Sequence, residues 1–275
     1  MRNLLRANLF RLRRDKVFWI CVAAMLGFSM FMVLQGGRAD AMEGWGRNLD
    51  YYYFKPPAYC GIILAVAIAR FIGTDYDDGT IRNKCIIGHT RSEIYIANLL
   101  ACCLGSTLLF VAWAVGGLAG IPYFGLWSVS IAEFFQLLIL ELLAFLAMTA
   151  FLVSIAQFIT NRSVNVITIF AANAVLLLGS YFYNALSEPE TYMNGYTINW
   201  DGTVDFGEEV ANPAYIAGTM RVVYQAILNV LPTGQQIWIA DETVTQPVFM
   251  AVCSVAFFAV FTVIGLLIFR KKDLK

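Results

Sequence analysis

Six stretches of the chain are apolar for roughly the 20 residues that a helix needs to cross a bilayer. The first, 17–34, is uncharged from Val17 to Leu34. The second, 51–72, is interrupted by Lys55, Pro56 and Pro57 near one end and carries Arg70 near the other. The third covers 95–120, and the fourth, 127–157, contains Glu133, Gln136 and Glu141. The fifth is 164–183 and the sixth 247–269. Shorter periodicities lie between and before them. Leu5, Leu9 and Leu12 recur at helical spacing, with Arg2, Arg6 and Arg13 on an adjacent face. Residues 1–16 therefore predict a basic amphipathic helix along a membrane surface, its arginines at anionic lipid headgroups. In the long polar connection 184–246, Asn212-Pro213 predicts an N-cap and first helical residue. Ile216, Met220, Val223, Tyr224, Ile227 and Leu231 then predict an amphipathic helix up to Pro232, with a small hairpin before it over 185–211. The pattern is that of an all-α integral membrane protein, one domain over 1–275.

Composition sharpens this picture by exclusion. The chain is 59% hydrophobic and only 14% charged, against about 45–50% and about 25% in soluble domains. A soluble enzyme, a disordered regulator and a nucleic-acid-binding domain are all disfavoured. The six cysteines follow no CxxC or CxH spacing and sit mostly in apolar runs, as small buried hydrophobes do. The first span is longer than the apolar run of a signal peptide, with no small-x-small site before Gln35, so it is expected to be retained.

Net charge is zero, yet the signs are segregated. Fifteen of the nineteen Lys and Arg lie in the N-terminal segment, in the connections after the second and fourth spans (Arg162 in the latter), and in the tail Arg270–Lys275. By the positive-inside rule both termini are expected in the cytoplasm, as an even number of spans requires. The connection 184–246, expected outside, holds eight acids (Glu188, Glu190, Asp201, Asp205, Glu208, Glu209, Asp241, Glu242) and one base, Arg221. Its amphipathic helix needs cover from the outer interface or the tops of the spans.

The connection 70–94 carries the densest set of signals. Asp77 or Asp78 can cap a short helix beginning near Gly79, Ile81, Cys85 and Ile86 give it an apolar stripe, and Gly88 suits the position that ends it. Thr90-Arg91-Ser92-Glu93 then reads as a capping box opening the third span. A plain solvated loop needs no such stacking of start and stop signals; the pattern over 77–93 predicts a helix–turn–helix elbow.

The runs Asp78-Gly79-Thr80-Ile81-Arg82-Asn83-Lys84 and Ile86-Ile87-Gly88-His89-Thr90-Arg91-Ser92-Glu93-Ile94-Tyr95 resemble the corresponding connection of type-2 ATP-binding cassette (ABC) exporter permeases. The likeness is closest to bacterial six-span subunits encoded apart from their ATPase. It extends to the Arg-rich N-terminus, to Leu231-Pro232-Thr233-Gly234-Gln235 and to the basic tail. The resemblance implies that 78–88 forms a coupling helix docking in a groove of a separate ATPase subunit. It further implies two ATPase copies holding ATP and Mg, a second permease (a copy or a different chain), and a re-entrant helix in the outer connection.

The chain's own chemistry is sparse. No Lys precedes Ser or Thr, so no GxxxxGK[ST] phosphate loop exists and no cofactor is expected on this chain. His89, the single histidine, reads as a turn residue. The sequon Asn161-Arg162-Ser163 falls on the expected inner side and carries no weight. Carboxylates inside a span are costly and are usually paired or functional. Glu133 and Glu141 lie about 80° apart on a helix, one polar arc with Gln136, and Asn173 lies near Glu141 in depth. These three residues are expected either to bond between helices or to line a substrate path. A secondary transporter and an intramembrane enzyme are the alternative readings. The first lacks an internal repeat and the second a catalytic constellation.

Overall fold

The computed structural model describes residues 1–44, 46, 48–124, 128–159, 164–200, 203–241 and 243–272; Arg47, Trp127, the triplet 161–163, Asp201, Glu242 and Lys275 lie outside them. Helix α1 (Arg2–Arg14) is amphipathic, and its inner face is Leu4, Asn8 and Leu12, while Arg2, Arg6 and Arg13 are exposed. Asp15 separates it from α2 (Lys16–Glu43) and accepts from the Val17 amide at 2.9 Å, capping the first span. This span runs well past Leu34. Gly36 and Gly37 weaken a helix without breaking it, and termination waits for Gly44 at φ 67°. Its 28 residues measure about 42 Å, so one end projects beyond the hydrocarbon layer.

The second span is broken where the prolines stand. A short helix α3 (Leu49–Tyr53) ends before them, and α4 (Pro57–Asp77) begins with Pro57 at its first turn. A connection carrying α5 (Thr80–Ile86) leads to α6 (Arg91–Gly117), which continues through a 3₁₀ turn (Leu118–Gly120) into α7 (Ile121–Phe124). Helix α8 (Ile131–Phe158) begins later than its hydropathy suggests, at a capping box on Ser130. It is followed by α9 (Val164–Ser187) and, after the long connection, by α12 (Pro247–Lys271). Among the described residues, six helices are long and apolar enough to cross a membrane.

Three of the spans form the centre. About 56% of the apolar window is buried in each of the second, third and fourth spans, against 28%, 22% and 17% in the first, fifth and sixth. The peripheral helices lean on the central ones pairwise: α2 on α6, α9 on α4 and α12 on α8. Close approach of α2 to α6 needs Gly116, since a Cβ there would stand 2.5 Å from the Leu26 carbonyl. Beside it the Ser29 hydroxyl donates to the Trp113 carbonyl at 2.9 Å. The outward faces of α2, α9 and α12 stay apolar and exposed, as surfaces against lipid or another subunit do.

Met1 and Lys272 lie at one end of the bundle, here the basal end, near Glu93 and Arg91 respectively. At the distal end, strands β1 (Thr191–Met193), β2 (Tyr196–Ile198), β3 (Val204–Phe206) and β4 (Glu209–Ala211) pair as β1–β4 and β2–β3, both antiparallel. This is the expected small hairpin. The following helix does not start at Pro213. Asn212 instead forms an Asx turn, its Oδ1 accepting from the Ala214 amide at 2.9 Å, and α10 spans Gly218–Val230. Pro232, expected to end that helix, opens another, α11 (Pro232–Ala240), as its first residue. Helix α10 runs inward and α11 runs back out among α8, α9 and α4, from Thr233 on the Val175 carbonyl to Asp241 beside the end of α9. Thr233, Gln235 and Gln236 are buried, so this pair of helices re-enters the bundle. Gly234 permits the tight turn into it, since a Cβ there would sit 2.5 Å from the Leu228 carbonyl.

Candidate coupling site and the polar interior

Helix α5 is short, and both of its ends are built by glycine. Gly79 at φ 62° is its N-cap, and neither Asp77 nor Asp78 caps it through a side chain. Asp78 is the C-cap of α4, and the two helices follow so closely that the left-handed glycine alone makes the turn. At the other end Gly88 has φ 101°. Its amide donates to the Cys85 carbonyl at 3.0 Å, and that of His89 to the Lys84 carbonyl at 3.1 Å. The pair of bonds is a complete Schellman motif. Thr90 and Glu93 form the expected reciprocal box, the Thr90 amide donating to Glu93 at 3.0 Å and the Glu93 amide to Thr90 at 3.2 Å.

The faces of α5 divide sharply. Ile81 points inward and is buried, while Arg82, Asn83 and the neighbouring Asp78 and Gly88 are exposed. Ile86 and Ile87 at its end are 73% and 78% exposed, so Ile86 is not part of the buried stripe. Thr80 and Lys84 turn inward. Arg91 faces the C-terminal end of α12, its guanidinium donating to the Arg270 carbonyl at 2.9 Å and also to that of Lys272. A cation at free helix-end carbonyls is favourable there.

The inward side chains meet at Asp75, which is fully buried at the basal end of α4. Its Oδ1 accepts from the Arg11 guanidinium and the Thr80 hydroxyl. Its Oδ2 accepts from the Lys84 ammonium at 2.9 Å and the Asn98 amide at 3.3 Å. A carboxylate offers about four lone-pair sites, and all four are filled. A second layer closes the set: Asn8 Nδ2 donates to Asn98 Oδ1 at 2.7 Å, and the Lys84 ammonium donates to Asn8 Oδ1 at 3.2 Å. Arg11 also lies over the Phe71 ring, 4.0 Å from its centroid, and donates to the Phe71 carbonyl at 3.1 Å. One carboxylate thus ties together α1, α4, α5 and α6. Burial, and then the nearby Arg11 charge, push the Lys84 ammonium down to about 7. Burial likewise lowers Arg11.

Sequence reasoning did not find this cluster. Its signals were the polar Asn8 inside the Leu stripe of α1, Asp75 closing an apolar span and Asn98 within one. A polar residue on a face that must be buried needs a partner.

The three intramembrane candidates have separate settings. Glu133 is the third helical residue of α8, accepting from the Ser130 amide and hydroxyl, each at 3.0 Å. Ser130-x-x-Glu133 carries the same signal as Thr90-x-x-Glu93, and it places Glu133 at an exposed helix end rather than on a polar arc with Glu141. Glu141 is fully buried. Its Oε2 accepts from Gln236 Nε2 of α11 at 3.2 Å, and its Oε1 has no hydrogen-bond partner among the described residues. Asn173, half-buried on α9, does not bond to it. The neighbouring Gln235 completes the tie, donating to the Met250 carbonyl at 3.0 Å and accepting from Ser254 at 2.6 Å on α12.

Six spanning helices, an amphipathic N-terminal helix locked to the bundle and a capped helix between the second and third spans define a multi-pass membrane permease. Residues 4–180, well over half of the chain, match the family described as ABC-2 family transporter protein. The chain belongs to that family and is the permease component of an ABC-type transporter. No curated protein matches it.

Proposed function

We propose that this chain is the export permease of a two-part transporter, driven through α5 by a separate ATPase subunit that holds ATP and Mg. The observation carrying the reading is the α5 tip, where Arg82, Asn83, Ile86 and Ile87 are exposed on a helix capped at both ends and anchored from within. Two adjacent exposed isoleucines at the C-terminal end of a seven-residue helix, Ile86 as its last residue and Ile87 as its C-cap, form a knob that fits a groove of another protein better than water. Both termini and α5 are taken to face the cytoplasm, supported by the fifteen basic residues of that side. The exposed flanks of α2, α9 and α12 support assembly of two permeases with two ATPase copies. Of the ten residues proposed for coupling, Asp78, Gly79, Arg82, Asn83 and Gly88 belong to the docking side or its turns. Thr80, Ile81, Lys84, Thr90 and Arg91 hold α5 and its surroundings in place.

The test is copurification from membranes. The wild-type chain is expected to bring down an ATPase subunit. Ile86→Asp with Ile87→Asp, or Arg82→Glu, is expected to lose it and to abolish transport with permease levels unchanged. Full retention of ATPase and transport in both variants would refute the docking role.

A further inference from the structure

At the distal end, a cavity of about 220 Å³ opens between the start of α4, the end of α9 and the end of α11. It is smaller than the ~300–1,000 Å³ typical of drug-sized ligands, so it takes one functional group rather than a whole molecule. Its polar lining is Tyr59, Ser180, Tyr183, Asn184 and Asp241. Among the described residues, one carboxylate stands with hydroxyls, an amide and two phenol rings, and no Lys or Arg lines the cavity. The Tyr183 side chain lines the cavity together with Asp241, and its ring stands edge-on to Trp238 with centroids 6.5 Å apart. Among the described residues Asp241 makes no ion pair with any base. Lys55, one turn before Tyr59, places its ammonium 3.6 Å from the Tyr51 ring centroid, so an aromatic wall close by already receives a cation.

We propose that this cavity is a binding site for a substituted ammonium group, the cationic end of a transported molecule, a substrate class that rests on the permease reading above. The carboxylate supplies the counter-charge, the Tyr59 and Tyr183 rings offer negative faces, and Ser180 and Asn184 offer acceptors to any N–H. The field around it acts in the same sense, because the connection 184–246 carries eight acids to one base, and this concentrates cations at the mouth. The base, Arg221, lines a different cavity, with Gln225, Asn229 and Gln246. A zwitterionic lipid headgroup fits worse than a free cation, since its phosphate would face Asp241 with no positive partner.

The test uses the purified permease in an uncharged maltoside detergent, without ATPase or nucleotide, so loss of ATPase docking cannot mimic its failure. The probe is choline, compared with its uncharged carbon isostere 3,3-dimethyl-1-butanol and with glycerophosphocholine, by equilibrium binding. Saturable choline binding at least tenfold tighter than either comparison compound is expected. Asp241→Asn should weaken it at least tenfold, and Tyr59→Leu, a half-exposed position whose loss leaves the packing intact, several-fold. Equal binding of choline and the neutral alcohol, equal binding of glycerophosphocholine, or unchanged affinity in Asp241→Asn would each overturn the assignment.

Discussion

Replacing Asp75 by Asn tests the basal cluster with almost no change of shape. The amide keeps one acceptor oxygen where the carboxylate had two, and it removes the charge that faces Arg11 and Lys84. Two cations are then left against each other, with side chains only 29% and 15% exposed. Breaking a buried pair by removing one partner costs about 3–5 kcal/mol, and stranding a second cation places this case at the upper end. Removing both sides of one contact costs far less, because no uncompensated charge remains. The double variant Asp75→Asn with Lys84→Met should therefore be more stable than Asp75→Asn alone, and the two effects strongly non-additive. The assay is unfolding of purified protein by a denaturing detergent, paired with limited proteolysis at the exposed arginines of α1. Asp75→Asn should unfold at a lower denaturant fraction and release α1 to the protease, with the double variant intermediate. An Asp75→Asn protein with wild-type unfolding and an intact α1, or strict additivity in the double variant, would refute the idea that this carboxylate holds the basal end together.

Two further perturbations probe the interior. The ordinary Lys value is 10.5, and the folded chain holds Lys84 at about 7. Between those values the unfolded chain keeps a proton that the folded chain has released, so stability should climb with pH through that window and stay flat below it; Lys84→Met should remove the rise, and an identical slope in the variant would exclude Lys84 as its source. Glu141→Gln keeps an acceptor for Gln236 and should leave stability within about 1 kcal/mol and transport intact, whereas Gln236→Leu strands the carboxyl at a cost of about 1–3 kcal/mol. The effects of changes at Glu141 and Gln236 should couple and those at Glu141 and Asn173 should add; the reverse pattern in a double-mutant cycle would place the partner on α9 instead.

The parts of this fold that were legible in the sequence are those governed by local rules. Six spans follow from apolar length, the stop at Gly88 from its left-handed backbone and the start at Thr90 from a reciprocal hydrogen bond three residues long. Where a local signal competed with another local signal, the reading slipped. Asn212-Pro213 is equally good as an Asx turn and as a helix start, and the backbone takes the turn. Glu133 and Glu141 are one residue type in one apolar run, but a serine three positions before Glu133 makes it a cap. The partner of Glu141 lies 95 residues away on a helix that re-enters the bundle. Depth along a span suggested Asn173, and depth alone cannot say which neighbouring helix presents a side chain.

The same limit explains the two cations of α5. Arg82 and Lys84 are alike by charge and proximity, and a seven-residue helix has too few turns for periodicity to separate its faces. The separation comes from Asp75, which precedes Lys84 by nine positions and lies 64 positions after Arg11. Once Lys84 and Thr80 are bound to that carboxylate, Ile81 is carried into the interior, and Arg82, Asn83, Ile86 and Ile87 are left facing outward. The exposed face is therefore a consequence of the buried one. The rigidity of the tie also has a mechanical result, since α5 shares its anchor with α1, α4 and α6. A force applied at Ile86 and Ile87 moves the helix only by carrying Asp75, and with it the base of the second span, or by breaking a contact worth several kcal/mol. Under the docking proposed above, a partner seated on the α5 tip would act on the spans through this shared anchor.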